Sequence, residues 1–425
     1  MSNGVAKRNG SDGTGTIVLR LADLGEREIS FSDTRSVILT DDEIRKYALF
    51  VGDVLFIRVN GSKENVGKSF YFDNESFPVA YCDHLIRCTP TGVLRGKLLS
   101  MFMRCGYVRQ LIDERMVSAA GQNTISQPSL ATILLPVPPL KEQDRISHGL
   151  NNADNYISQI YNSKQRLADL VLHTKAKILD LAIRGQLVPQ DPNDEPASIL
   201  LERIRAEKEA LIKQGKLKRY KKESIIFRGE DNSYYEKVGG EVICIDNMIP
   251  FEIPESWAWC RGYSCFEDMA SIKPHGDFFD YIDIDAIDNR SHCIKEAKHL
   301  PVAKAPSRAS RALQSGSVLF SLVRPYLENI ALVDEEHSHC IASTGFYVCN
   351  SNGVFLPEFL FFLMISRYVV SGLNQYMKGD NSPSISKDNI EDWLYPIPPL
   401  EEQEAICFKL KEAFSAIGHI EKSLS

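Results

Sequence analysis

The residue types in this chain that suit recognition chemistry stand in four polar loops. In the first half, Arg58-Val59-Asn60-Gly61-Ser62-Lys63 follows an apolar run, and Lys68 stands just beyond it after Val66-Gly67. Gly121-Gln122-Asn123-Thr124 forms a second loop. In the second half, Arg324-Pro325-Tyr326 sits at the place of Arg58, and Lys378-Gly379-Asp380-Asn381-Ser382 at the place of the Gln122 loop. Arg and Lys match guanine edges, Asn and Gln match adenine, and Lys, Ser and backbone N–H groups take phosphates. Arg58, Asn60, Ser62, Lys63, Lys68, Gln122, Asn123, Arg324, Tyr326, Lys378, Asn381 and Ser382 are therefore the candidate contacts to DNA. Taken singly, each equally suits a surface loop that caps a strand.

Catalytic signatures are missing. An adenine methyltransferase needs an Asp/Asn-Pro-Pro-Tyr/Phe stretch, but the two Pro-Pro pairs, Pro138-Pro139 and Pro398-Pro399, are each followed by Leu. No GxxxxGK[ST] phosphate loop is present. Gly13-Thr14-Gly15 precedes a strand where a nucleotide loop would follow one. His337, His339 and Cys340 lie close together, yet no second cluster at ligand spacing supports a metal site. The chain is expected to be no enzyme and to hold no metal or cofactor.

The elements that must position these loops are set by an internal repeat. LPVPPLKEQDRI (Leu135–Ile146) returns as LYPIPPLEEQEAI (Leu394–Ile406), 260 residues later. Paired prolines favour an extended approach, and Pro139 and Pro399 suit a first helical turn. Glu142 and Glu402 then fall where the helix dipole favours negative charge. Beyond each phrase the apolar residues follow 4-3 spacing, which only Lys164 and Thr174 break in the first series. The first series is Ile146, Leu150, Ala153, Ile157, Ile160, Leu167, Val171, Ile178 and Leu181; the second is Ile406, Leu410, Ala413, Ile417, Ile420 and Leu424. That period is a coiled-coil seam, so the two helices are expected to pack on each other. The first, from about Leu140 to Ala182, would span on the order of 60 Å.

Upstream, Gly52-Asp53-Val54-Leu55-Phe56 resembles Gly316-Ser317-Val318-Leu319-Phe320, and Val18-Leu19-Arg20-Leu21 resembles Tyr281-Ile282-Asp283-Ile284. Two domains on one scaffold with different faces would bind two different things. The boundaries read as a first domain 1–139, central helices 140–215, a charged linker 216–250, a second domain 251–399 and a last helix 400–425. The fold class is α/β (α+β), with two globular domains separated by long antiparallel helices. Pro254-Glu255-Ser256-Trp257-Ala258-Trp259 opens the second domain and has no counterpart in the first. That reads either as a chain shortened at its N-terminus or as a first domain that tolerates losing a strand.

At 425 residues, two to three domains fit. No apolar run reaches membrane-spanning length. Ten cysteines without a CxxC pair suggest reduced thiols in the cytoplasm. A net charge of −7 does not announce a nucleic-acid binder, but charge averages over faces. Residues 201–222 carry nine Lys or Arg against three acids, which a solvated helix face also explains.

A P-x-P-P-L-x-E-Q phrase entering a long helix, present twice and ending two variable domains, resembles the specificity subunits of type I restriction–modification enzymes. The same resemblance covers Gly379-Asp380-Asn381-Ser382-Pro383-Ser384-Ile385-Ser386 and Arg184-Gly185-Gln186-Leu187-Val188-Pro189-Gln190. It implies two target-recognition domains, each reading one half of a split, asymmetric site in double-stranded DNA. It also implies an antiparallel helical spacer that sets the gap. The implied partners are two modification subunits, which carry S-adenosylmethionine, and the restriction motor subunits. Pro138, Pro139, Leu140, Gln143, Pro398, Pro399, Leu400 and Gln403 then form the elbows, with the adjoining helix residues as partner contacts. The rival reading is a coiled-coil scaffold joining two protein-binding modules.

Overall fold

The computed structural model of the chain describes residues 1–7, 15–26, 28–215 and 223–424. Gly13 and Thr14, and the basic residues of 216–222, lie outside them. The chain divides into two compact units, Met1–Asn162 and Ser163–Ser425. The division between them falls inside the long helix Leu140–Ile183.

The first unit is built on Val54–Ile57, whose four residues are all buried. This strand pairs antiparallel with Ser69–Tyr71 and Leu85–Cys88. The turn that feeds it needs Gly52 at φ +100°, a left-handed conformation that glycine adopts without steric cost. Buried Asp53 closes the turn, accepting from the Phe50 N–H at 2.9 Å and the Thr89 hydroxyl at 2.6 Å. Beside this sheet, Thr16–Leu19 runs parallel to Val79–Tyr81 and antiparallel to Ser36–Val37. Helices Gly96–Phe102, Gly106–Arg115 and Gln127–Ala131 follow.

The second unit repeats the order. Val318–Ser321, entered through Gly316 at φ +86°, pairs with Ile330–Leu332 and Phe346–Cys349. Phe278–Ile282 runs parallel to Ile341–Ser343. Helices Pro357–Met364, Arg367–Asn374 and Lys387–Glu391 complete the set. Ser317 takes the place of Asp53, donating to Asn350 Oδ1 at 2.6 Å. Both landmark pairs read from the sequence thus fall on equivalent strands.

The segment expected to be a linker is mostly folded. Ser224–Arg228, Tyr234–Val238 and Glu241–Cys244 form an antiparallel sheet. Gly239-Gly240 supplies two positive φ values, +58° and +97°, as a tight hairpin requires. Glu236 of this sheet is buried and takes both ends of the Arg261 guanidinium, at 3.0 and 2.8 Å. Burial pushes the Glu236 carboxyl up, but the bonds and charge of Arg261 outweigh it and hold it below its ordinary range. The sheet therefore belongs to the second unit.

The long helix spans Leu140–Ile183 and the second long helix Leu400–Leu424. They meet antiparallel in the second unit. Leu179, Ala182 and Ile183 share a core with Ile406 and Leu410, while Lys175 Nζ reaches Glu421 at 2.7 Å. The expected seam is only partly closed. Val171 is buried, but Leu150, Ile157, Ile160 and Leu167 are 42%, 57%, 68% and 39% exposed. Between them, Ala197–Lys213 forms a further helix that stops at Gly215 with φ +70°. No described helix is long and apolar enough to cross a membrane.

Candidate nucleic-acid interface

In the first unit the backbone draws the two polar loops together. Val59–Asn60 pairs with Gln122–Thr124, and the Ile125 N–H donates to the Arg58 carbonyl at 2.9 Å. Arg58 sends its guanidinium to the Asp83 carbonyl at 3.0 Å. It also lines an open groove of about 640 Å³ with Asn3, Thr124, Ser126 and Gln127. Ser62, Lys63 and Gln122 are exposed. Asn60 accepts from the Ser62 N–H at 2.9 Å, and Lys68 donates to Asn65 Oδ1 at 2.8 Å.

Asn123 departs from the expectation of a free amide. It is buried; its Nδ2 donates to the Gly61 carbonyl at 2.8 Å and its Oδ1 accepts from the Ser118 hydroxyl at 2.5 Å. It pins one loop to the other through both ends of its amide. Arg109, absent from the expected set, does similar work. Its guanidinium donates to the Lys63, Glu64 and Val66 carbonyls at 3.2, 3.4 and 2.6 Å. Arg109 Nε is held by Asp113 at 3.0 Å. The i, i+4 spacing of Arg109 and Asp113 was visible in the sequence, but the loop it grips was not.

In the second unit the same frame recurs with a correction. The Ile385 N–H donates to the Leu322 carbonyl at 2.9 Å, so Leu322 and not Arg324 stands at the place of Arg58. Arg324 corresponds to Asn60, and its N–H donates to the Pro383 carbonyl at 2.7 Å. Two residues of offset arise because strand register, not residue type, fixes equivalence. Arg324 sits at φ +48° and Glu328 at φ +55°, conformations that cost non-glycine residues about 1–3 kcal/mol each. The Arg324 guanidinium donates to the Asn381 carbonyl at 3.0 Å, tying the two loops together. Lys378 pairs through its backbone with Ser384. Tyr326, Lys378, Asn381 and Ser382 are exposed.

The elbows are latched from within. Gln143 and Gln403 are both fully buried. Gln403 accepts from the Leu356 N–H at 2.8 Å and donates to the Val354 and Pro398 carbonyls at 2.9 and 3.1 Å. Gln143 repeats this with the Arg95 N–H and the Val93 and Pro138 carbonyls, each at 2.8 Å. The glutamine of the repeated phrase thus fastens the start of each long helix to the loop before a short helix. In the second unit, buried Glu402 accepts from Trp257 Nε1 at 2.7 Å and Gln190 Nε2 at 2.5 Å. Burial pushes its carboxyl up, against the pull of these two donors. Gly185, at φ +68°, lies where a Cβ would meet Pro254 Cγ at 2.4 Å. Arg184 stacks over Phe251 at 4.3 Å. The Arg184–Gln190 segment is therefore the joint between the long helix and the second unit.

His337 and His339 do not converge with Cys340. His337 pairs with Asp334 at 2.6 Å and His339 with Asp280 at 3.0 Å. Among the described residues, Cys82, Asp83 and His84 bring ligand atoms within 4.8 Å of one another. They are consecutive in sequence, and burial pushes the Cys82 thiol up, which disfavours the thiolate a metal needs.

Residues 17–168 match a family described as "Type I restriction modification DNA specificity domain". The chain is 32% identical over 219 residues to the StySPI specificity subunit of Salmonella potsdam, covering 48% of this chain and 46% of that one. It is 22% identical over 429 residues to the EcoEI specificity subunit of Escherichia coli, covering 98% of this chain and 65% of that one. Among solved structures it is similar to the HsdS subunit from Thermoanaerobacter tengcongensis, with 34% identity, 41% of this chain and 46% of that one covered, and a TM-score of 0.39. The chain spans about half to two thirds of the length of these relatives. Residues 17–168 thus carry the DNA specificity domain, and the chain as a whole is similar to type I restriction–modification specificity subunits.

Proposed function

We propose that this chain is the non-catalytic subunit that gives a type I restriction–modification complex its DNA sequence. Each unit reads one half of a split, asymmetric site through its own loop pair. The observation that carries this reading is the recurrence of one frame, Arg58 to Thr124 and Leu322 to Ser384, with different side chains on it. A repeat built to read one sequence twice would keep its contact residues. Here Asn60 is replaced by Arg324 and Gln122 by Ser382. Exposed Lys63 and Lys378 supply phosphate contacts, and Arg58, Gln122, Arg324 and Asn381 supply base contacts. Asn123 and Arg109 hold the first loop pair in shape.

The exposed stripe of the long helix, including Ile157 and Ile160, is the docking face for modification subunits, which carry S-adenosylmethionine and methylate adenine. The restriction subunits join that complex. The long helices act as the ruler between half-sites. The matched DNA specificity domain favours this reading over a scaffold that touches no DNA. The test is to co-express the chain with its modification subunit and map methylated adenines in host DNA. The expected product is a bipartite motif with a fixed unspecified gap. A palindromic motif would mean that one unit reads twice in a dimer and would overturn the proposal.

A further inference from the structure

The loop that leaves the second unit's central strand is built differently from its counterpart. In the first unit the chain departs at Asn60 and returns at Ser69, opposite Phe56. In the second it departs at Arg324 and returns sooner, at Ile330, opposite Phe320. The shorter connection turns through two left-handed residues, Arg324 at φ +48° and Glu328 at φ +55°. Side chains other than glycine hold that conformation only where their surroundings impose it. Here the surroundings are a set of fixed bonds. The Arg324 N–H donates to the Pro383 carbonyl at 2.7 Å, and its guanidinium to the Asn381 carbonyl at 3.0 Å. Asn289 Nδ2 donates to the Leu327 carbonyl at 2.8 Å. Pro325 is buried, with the helix Arg367–Asn374 packed against its turn. What this frame holds outward is Tyr326 and Leu327, 46% and 39% exposed. The exposed stretch of the first loop, Gly61-Ser62-Lys63-Glu64, has no large apolar side chain.

We propose that Tyr326 and Leu327 form a wedge that enters a base step of the second unit's half-site and unstacks it, so that this unit reads how readily the step opens as well as its base edges. The proposal rests on the reading of the second unit as a DNA reader. Single exposed apolar side chains are ordinary. This pair is adjacent, and its backbone is strained in a way that clusters at functional sites. A tyrosine ring stacks on any base, and an apolar neighbour fills the gap that opens beside it. A wedge must not yield when it meets the stack, and the bonded loop supplies that stiffness. The ligand is duplex DNA with a pyrimidine–purine step, TA or CA/TG, at the wedge, because those steps unstack most readily. The first unit, with Ser62 and Lys63 on its loop, reads its half without unstacking.

The test uses the full chain assembled with its modification subunit, on a short duplex carrying the motif that the complex methylates. Donor and acceptor dyes at the duplex ends report bending by energy transfer, since an inserted wedge kinks DNA by about 20–90°. The unaltered complex should raise the transfer on binding. Tyr326→Ser with Leu327→Ala should remove most of that rise and weaken binding at least about tenfold, as for loss of a stacked base. Both side chains are exposed, so this variant should assemble with the modification subunit as the parent does. Tyr326→Phe keeps the ring without the hydroxyl and should bind and bend as the parent does. Ser62→Ala with Lys63→Ala, in the first unit, should weaken binding and leave the bend unchanged. Binding without bending by the unaltered complex, or a double variant that binds and bends normally, overturns the proposal. So does a Tyr326→Phe loss as large as that of the double variant, which would make the hydroxyl a base contact, or a double variant that fails to assemble, which would make the loop a protein contact. No binding of the motif by the unaltered complex would instead overturn the DNA reading beneath it.

Discussion

Replacing Gln403 by leucine tests the elbow most sharply. Leucine is close to glutamine in size and as good a helix former, so the helix beginning at Leu400 should survive. What is lost is three hydrogen bonds, to the Leu356 N–H and the Val354 and Pro398 carbonyls. Val354 and Pro398 are buried, so water does not replace the missing partner. An unsatisfied buried group costs about 1–3 kcal/mol. The Leu356 N–H and both carbonyls share one amide, so their losses overlap, and a total of about 3–5 kcal/mol follows. The repeat supplies an internal control. Gln143→Leu breaks the same three bonds, but its partners lie beside exposed Val93, Arg95 and Pro139, where water reaches them. That variant should cost about 1–2 kcal/mol. The assay is urea unfolding of the full chain, with circular dichroism following both units and intrinsic tryptophan fluorescence the second unit alone, where Trp257, Trp259 and Trp393 all reside. Hydrogen exchange at Arg95 and Leu356 follows each latch separately. The reasoning is refuted if Gln403→Leu unfolds within about 1 kcal/mol of the parent, or if Gln143→Leu costs as much as Gln403→Leu.

Three further outcomes follow from the geometry. Glu402 has its folded carboxyl raised by burial, so its contribution to stability is fully present below the ordinary glutamate pKa and falls as pH rises through the raised value. Glu402→Gln should flatten that fall, and urea midpoints measured between about pH 4 and pH 7 would show it. Glu236 behaves oppositely. Its carboxyl is held low against the cost of burial by Arg261, so its contribution is present above the ordinary pKa and is lost as pH falls through the lowered one. Glu236→Gln leaves the half-buried Arg261 guanidinium without its counter-charge, with the Asp392 carbonyl still accepting from it, and should cost about 3 kcal/mol by thermal or urea unfolding. Arg109→Ala should free the 63–66 loop, raising amide exchange at Val66 and Lys68 and weakening DNA binding by the assembled complex, with a stability loss of only about 1 kcal/mol.

The features legible in the sequence are those written in local chemistry. The long helix ends at Ile183, one residue beyond the end read from its apolar period, and the helix after Pro196 stops at its glycine. Gly52 and Gly316 marked equivalent strands because both turns need a positive φ. The stretch 216–250 reads as a linker because its charge masks the alternating pattern of 224–244 that Gly239-Gly240 breaks. The reach of the seam was not legible, since apolar spacing shows that a face wants burial and not how much of it the partner covers. The loop residues were found by type, but Asn123 turned inward and Arg324 proved equivalent to Asn60. Both depend on strand register across more than 50 residues of chain, which side-chain type does not encode. Gln143 and Gln403 stood out only as part of a phrase; their shared work appears once Val93–Arg95 and Val354–Leu356 are folded against them.

The central claim is that each unit reads its half-site independently. The direct test exchanges residues 223–399 for the matching segment of a relative with a known, different target, so that the sheet carrying Glu236 moves with Arg261. The hybrid is co-expressed with the modification subunit, and methylated adenines are mapped. One half-site should change, with the other half-site unaltered. A change in both halves, or in neither, would contradict the account.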